Sequence, residues 1–340
     1  MVRNDPSEKG ATGFLPSGGA RVASMRWAGR YLPVIGMPLL LAVALLFTTW
    51  IHPSFGAFDI QSLALGALPL AFAAAAQTCV VISGGIDLSV GSLIAVANVL
   101  AASTMQHADF RQALLLAAGI LIAGAISGAI NGAIVVLSRI PDVVVTLTTG
   151  FIWGGVALLI MEKPGGGAPQ QFLDLAAGTT LAPWLPNAVI LLIAAVAVVW
   201  IPLKLGRAGL LVYAVGSDRV AAFRSGVGVE TTRILAYTLS GLFSAMGGLA
   251  LTMTTAIGAP LAGVYYTLSG LAALVIGGVS LTGGRGGISG PVLAAFVLTL
   301  IPTDLIFLNI DPNYGQVIQG TLIVLVVMLG GFVTVLRNRK

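Results

Sequence analysis

Charge is what this chain has least of. Asp, Glu, Lys and Arg make up 9% of its 340 residues, where soluble domains carry about 25%. With 57% hydrophobic residues, too few polar side chains exist to cover a water-facing surface. The composition therefore reads as an integral membrane protein of the all-α class. Cysteine is nearly absent. The lone Cys79 excludes an internal disulfide, and with only His52 and His107 beside it no Cys/His metal site can be assembled. A phosphate loop is missing as well: Gly283-Gly284-Arg285-Gly286-Gly287 is glycine-rich but lacks the Lys-Ser/Thr pair. No catalytic constellation is visible, so the chain reads as a non-enzyme without a cofactor of its own. The pI near 9.7 does not point to nucleic acid, because the basic residues stand at the ends of apolar runs.

What the chain has in abundance is apolar runs. Ten stretches approach the ~20 residues that a spanning helix needs: 33–51, 60–82, 88–105, 113–137, 143–161, 186–203, 233–255, 267–282, 289–308 and 316–336. Residues 1–32 read as a mostly disordered cytoplasmic tail, without the apolar core and cleavage site of a signal peptide. Residues 33–336 form the transmembrane domain and 337–340 a cytoplasmic end. With both termini inside, the inner segments together with Arg233 at the edge of its span hold fifteen Lys and Arg, and the outer segments hold only Arg111 and Lys163. That asymmetry supports ten spans. Trp50 and Trp184 fall at outer boundaries and Trp200 at an inner one, as in an aromatic belt.

The stretch Gln77–Asn98 organises the rest. Its middle, Ser83-Gly84-Gly85-Ile86-Asp87-Leu88-Ser89-Val90-Gly91, puts a carboxylate beside helix-breaking glycines. Two readings fit: a cytoplasmic turn whose Asp87 caps the next helix, or a broken helix lining a polar pathway. Gly84–Gly91 also matches Gly277–Gly284 at four of eight positions. This is either a repeated helix break, as in many transporters, or a coincidence of glycines. Gln77, Asp87, Ser89, Asn98, Asn131 and Thr146 are candidate pathway or gating residues, each also readable as a helix-packing hydrogen bonder. The outer loop 162–183 is either a partner contact or a plain connector. The inner loop 204–232 has room for one small helix, with Ser217-Asp218 as its cap and Gly226 as its end.

Several pieces resemble one family: GGIDLSVGSLIA (84–95), SRIPDVVVTLTTGFIWGGVALL (138–159), GRAGLLVYAVGSDRVAAFRSGV (206–227) and LAALVIGGVSLTGGRGGISGPVLAA (271–295). Together they look like the membrane permease subunit of ribose-type sugar ABC importers, in order from about residue 60 to the end. The resemblance implies a permease homodimer or heterodimer in the bacterial inner membrane. It implies a separate cytoplasmic ATPase that carries the ATP and Mg2+, and a periplasmic sugar-binding protein. It makes 204–232 the coupling segment, with Tyr213, Ala214, Gly216, Ser217, Asp218, Ala221, Ala222 and Gly226 facing the ATPase, and adds Gly277, Gly278 and Arg285 to the gating set. Three pieces depart from the family pattern. Ser217-Asp218-Arg219 replaces the usual Gly-Asn-Glu, Phe223-Arg224 replaces the usual Arg-Leu after the Ala pair, and Ile140-Pro141-Asp142-Val143 replaces IPPF. The alternative is a stand-alone ion-coupled carrier with Asp87 as its ion-linked group.

Overall fold

A computed structural model describes residues 19–182 and 184–322, with 324, 325 and 328. Residues 1–18, most of the tenth candidate span and the basic end 337–340 lie outside the described residues. The chain is helical throughout: α1 (Gly19–Ile51), α2 (Ala57–Ile82), α3 (Val90–Met105), α4 (Phe110–Ser138), α5 (Asp142–Ile160), α6 (Gln170–Leu173), α7 (Asn187–Leu205), α8 (Arg207–Ser217), α9 (Arg219–Arg224), α10 (Val229–Thr255), α11 (Val264–Ile276) and α12 (Ser289–Phe307). Residues 314–322 are helical again. Among the described residues the only β pairing is two isolated bridges, Gly165 with Gly258 and Ala182 with Leu185.

Six helices, α2, α4, α5, α7, α10 and α12, are long and apolar enough to cross a membrane, and residues 35–51, α3 and α11 form shorter apolar helices. The third and eighth candidate spans fall short because their glycine-rich ends are not helical: α3 begins only at Val90 and α11 stops at Ile276. At the other extreme, α1 begins at Gly19, inside the stretch read as a disordered tail. Local chemistry sets several starts. Asp109 and Gln112 close a reciprocal capping box at the start of α4. Pro141 and Pro186 stand just before α5 and α7, where a missing N–H is tolerated.

Burial separates a core from an exposed apolar shell. In α2 and α10, 89% and 67% of the most apolar window is buried, against 17% in α7. Lipid tails are as apolar as leucine, so helices are held together by close backbone approach and polar contacts rather than by burial alone. The glycines at 124, 128 and 132, spaced four apart on α4, supply that approach. A Cβ on Gly128 would strike the Tyr237 carbonyl, and one on Gly124 the Ala245 side chain. Gly248 likewise seats α10 against Ala97 and Asn98 of α3. Trp200, expected in a boundary belt, is instead buried, whereas Trp50 and Trp184 are exposed.

The helix ends gather on two faces. On one, Gly216 meets Ile82 and Gly284, and Arg233 meets Asp142. On the other, Gly165 pairs with Gly258, and the Gly167 amide donates to Ala102 O. The loop 162–183 is thus fastened to the ends of α3 and α10.

Candidate functional site: two helix breaks under a helical elbow

Each glycine-rich segment begins with the same helix stop. After α2 the Gly84 amide donates to Val81 O (2.9 Å) and the Gly85 amide to Val80 O (3.1 Å), with Gly84 at φ +80°. After α11 the Gly278 amide donates to Val275 O (3.0 Å) and the Val279 amide to Leu274 O (3.2 Å), with Gly278 also at φ +80°. This paired bonding, with its left-handed residue, needs glycine to avoid a Cβ clash. The stops therefore align Gly84 with Gly278, one residue away from the register of the sequence match, which set Gly84 on Gly277.

Beyond the first stop lies a knot of side chains. Asp87 is fully buried. Its Oδ1 accepts from the Ser89 amide (2.9 Å) and hydroxyl (2.6 Å), and its Oδ2 from the Ser240 hydroxyl (2.8 Å). The Gln77 amide donates to Asp87 O (2.7 Å). Asn131 Nδ2 donates to Ser89 Oγ (2.7 Å) and accepts at Oδ1 from the Trp153 indole (3.2 Å). Thr146 Oγ1 receives the Leu88 amide (3.0 Å), while Tyr237 donates towards Ile86 O and Asp142 Oδ2 (3.2 and 3.1 Å). Arg233 pairs with that same Asp142 oxygen. Gln77, Asp87, Ser89, Asn131 and Thr146 are thus brought together from α2, the break, α4 and α5, with α10 closing the ring. Buried polar groups that are unpaired cost several kcal/mol each in lipid, so this bonding, which among the described residues leaves only the buried Gln77 Oε1 and Arg233 Nε without a partner, favours one arrangement.

Asn98 belongs elsewhere. At the opposite face its side-chain amide donates to Thr252 Oγ1 (2.9 Å) and Ile257 O (3.1 Å), and its Oδ1 accepts from the Ala259 amide (2.7 Å). It ties α3 to the left-handed end of α10 at Ala256. Gly277 and Gly278 form the second stop, and Arg285 is exposed beyond it.

The loop 204–232 holds two short helices rather than one. The extended backbone of Gly206 separates α7 from α8, and Asp218 then caps α9, accepting from the Val220 and Ala221 amides (2.9 and 3.0 Å). Ser217 is not a cap. It closes α8 and donates to Tyr213 O (2.8 Å). Gly226 ends α9 at φ +79° with the same paired bonding, to Phe223 O and Ala222 O. The elbow between α8 and α9 sits on both breaks. A Cβ at Gly216 would drive into Ile82 O and lie 2.7 Å from the Gly284 amide nitrogen. That amide donates to Ile82 O (2.9 Å), joining the breaks directly. Tyr213 donates to Gly286 O (2.7 Å), and the Arg219 guanidinium to Gly84 O. Ala214 lies half-buried on α8 between these contacts. Ala221 is exposed, but Ala222, which the family resemblance set among the residues facing the ATPase, is buried. The outward apolar groups are Val220 and Phe223, 60% and 72% exposed.

A cleft of about 570 Å³ opens between α3, α5 and α11, lined by Leu88, Ser92, Gly150, Gly154, Thr267 and Leu268 among others. None of the pathway candidates lines it. The knot stands one layer behind, reaching the cleft through Leu88 and through Gly150, which packs on Ser89 Cα. Ser92 and Thr267 were missed in the sequence because a single hydroxyl in an apolar helix carries no periodic signal. The glycines of FIWGGV (151–156) mark one wall.

Comparison with known proteins fits this architecture. Residues 55–327 match the family model described as branched-chain amino acid transport system / permease component. The chain is 30% identical to the ribose import permease of Haemophilus influenzae, over 88% of this chain and 94% of that one. It is 30% identical to the fructose import permease of Rhizobium meliloti, over 81% and 78%. It is 28% identical to the autoinducer 2 import permease LsrD of Photorhabdus temperata, over 81% of each. No solved structure matches. The family model takes its description from amino-acid systems, whereas these relatives are import permeases of a different solute class. A family of transport permease components is not a family of enzymes. With its break segments, its elbow and a match along most of its length, the chain belongs to the ribose-type ABC import permease family of the bacterial inner membrane.

Proposed function

We propose that the chain is the membrane subunit of an ATP-driven importer for a sugar or a similarly hydroxyl-rich small solute, coupled to a separate ATPase that carries the nucleotide and Mg2+. The observation that carries this reading is the elbow. Gly216 touches both helix breaks and Arg219 the first, so a force applied at α9 reaches the two discontinuous segments together. Rigid short helices that shift between two packed positions are a general means of transmitting such a force. Val220 and Phe223 give α9 an apolar outward face for the ATPase.

The pathway runs along the cleft of α3, α5 and α11, closed by a second permease copy or a paired paralogue. Its hydroxyls, Ser92 and Thr267, and its glycine wall suit a neutral solute held weakly, with affinity supplied by a periplasmic binding protein on the face of 162–183. The basic residues Arg139, Arg207, Arg219, Arg224, Arg233 and Arg285 all accompany the breaks and the elbow, which supports a cytoplasmic position for that face, ten spans and inward termini. A carrier driven through Asp87 is the poorer reading, because both carboxylate oxygens are already occupied by Ser89 and Ser240.

The test is Phe223→Glu in the complete complex. The side chain is exposed, so the permease keeps its thermal stability. A charge buried without a partner against the ATPase costs several kcal/mol, so co-purification of the ATPase falls at least about tenfold. Full retention of the ATPase and of uptake overturns the reading. In intact cells, a cysteine at Ser225 stays unlabelled by an impermeant thiol reagent while one at Lys163 is labelled, and the opposite pattern overturns the topology.

A further inference from the structure

Beside the knot, on the face of the elbow, lies a second cleft of about 400 Å³ that takes no part in the pathway. Three arginines from three elements line it: Arg139 at the end of α4, Arg219 at the start of α9 and Arg233 in the first turns of α10. Two carboxylates, Asp142 and Glu230, line it as well, so cations outnumber anions by three to two. Asp142 is engaged, because its Oδ2 already receives Arg233 and Tyr237. Glu230 is exposed to solvent.

One donor at the wall of this cleft has no acceptor among the described residues. Arg233 is only 9% exposed, its Nη2 is paired with Asp142, and its buried Nε makes no hydrogen bond. A buried guanidinium N–H without a partner is costly and rare. Arg219 adds a second sign of unmet charge. Burial lowers its pKa from the ordinary arginine value, and the neighbouring charge of Arg233 lowers it further. Two guanidiniums that repel each other around a partly enclosed volume are relieved by an anion with several acceptor oxygens.

We propose that this cleft is a binding site for a terminal phosphate group, carried either by a soluble ion (inorganic phosphate or a sugar phosphate) or by the headgroup of phosphatidic acid. Phosphate presents several oxygens to the exposed forks of Arg139 and Arg219 beside the Arg233–Asp142 pair, which a monovalent halide cannot do. Arg219 also donates to Gly84 O, so a bound phosphate links α4, α9 and α10 across the first break and holds the elbow in the position seen here. Binding is thereby coupled to the gate. A phosphate bound at the inner face slows the α9 movement that transport requires, and the site acts as a brake.

The full-length permease in nanodiscs of phosphatidylcholine alone is titrated with inorganic phosphate and with glucose 6-phosphate. A parallel set of nanodiscs contains phosphatidic acid. Saturable binding is expected in the first arm for a soluble ligand, or retention of phosphatidic acid through exchange in the second for a lipid. Arg139→Ala, at an exposed position, and Arg219→Ala each weaken that binding about tenfold or more, and Glu230→Gln strengthens it. Chloride at the same ionic strength does not compete. Absence of saturable binding in both arms overturns the proposal, as does equal binding by the wild type and the Arg139→Ala/Arg219→Ala double variant. In the reconstituted complex the bound phosphate lowers ATP-driven uptake of the wild type and leaves that of Arg139→Ala unchanged. Equal inhibition of both overturns the brake.

Discussion

Gly84 and Gly278 share a φ of +80°, each stands two residues after an isoleucine that ends a membrane helix, and each is succeeded by an amide that reaches back to the same helix turn. Beyond them the two segments diverge. The first runs into Asp87, Leu88 and Ser89, which are bonded to α2, α4, α5 and α10. The second has Ser280 and Thr282 hydroxyls that bond only to each other, at 2.7 Å on the exposed side. It is held instead through its backbone, by Ile82 O on the Gly284 amide and by Tyr213 on Gly286 O. The first break is an anchor in the core. The second is fastened through its backbone to the first break and to the elbow, and at its start Gly277 is seated on Gly290 and Pro291 of α12. In the proposed coupling, α8 and α9 would act on an anchored segment on one side and a more compliant one on the other.

The anchor breaks at Asp87. Asp87→Ala strands three donors, the Ser89 amide and the Ser89 and Ser240 hydroxyls, inside a fully buried site. A loss of about 3–5 kcal/mol is expected, seen as a large fall in thermal unfolding temperature in detergent. Asp87→Asn keeps one acceptor oxygen and lets a serine hydroxyl turn to accept from the new amide, so its loss is less than half as large. Equal melting of the Ala and Asn variants would show that the knot does not fasten the break.

Next in size is the junction. Gly216→Val puts carbon where Ile82 O and the Gly284 amide already sit, and it cannot be relieved by turning a side chain because the neighbours are backbone. Overpacking of this kind costs about 1–3 kcal/mol. Because both breaks are pushed at once, uptake falls further than stability does. A variant with wild-type uptake would separate the elbow from the breaks.

How much of this the sequence carried depends on the kind of contact. The all-helical class, the two glycine breaks and the cluster around Asp87 were legible, because composition and local spacing report on burial and helix stops. Gln77, Ser89, Asn131 and Thr146 were singled out as polar residues in apolar helices, and these meet at Asp87. Asn98 carries the same signal and serves the opposite face, since polarity marks a satisfied bond without saying with whom. The four-residue spacing of Gly124, Gly128 and Gly132 was in plain view and predicts the tight seam of α4 on α10. Helix α8 was missed because Gly206 and the flanking Lys204 and Arg207 look like loop punctuation. Ala222 was misplaced for a related reason: α9 is too short for periodicity to say which face is in. Paired glutamates at Ala221 and Ala222 would therefore damage the fold as well as any partner surface, which is why Phe223 is the informative position. The meeting of Asp142, Arg219 and Arg233 joins residues far apart in sequence and is a product of the tertiary fold alone.

The smallest effect gives the sharpest comparison. Gly84→Ala and Gly278→Ala place the same methyl group on the same left-handed backbone, and each costs about 1 kcal/mol from that strain alone. Around Gly278 the new Cβ meets nothing within 4 Å. Around Gly84 it lies 3.6 Å from both Arg219 Nη2 and Gly216 Cα, an ordinary contact that adds little further strain. The two variants should thus melt within a few tenths of a kcal/mol of one another. Function should separate them. At Gly84 the methyl group sits beside the bond from Arg219 to Gly84 O and the seat of Gly216, so the coupling of ATP hydrolysis to uptake drops by several-fold. At Gly278 no such contact exists, and coupling tracks stability. The ratio of solute moved to ATP hydrolysed in proteoliposomes measures this directly. If the two variants differ in melting but not in that ratio, the anchor and the compliant break have the same mechanical role, and the asymmetry between them is one of packing only.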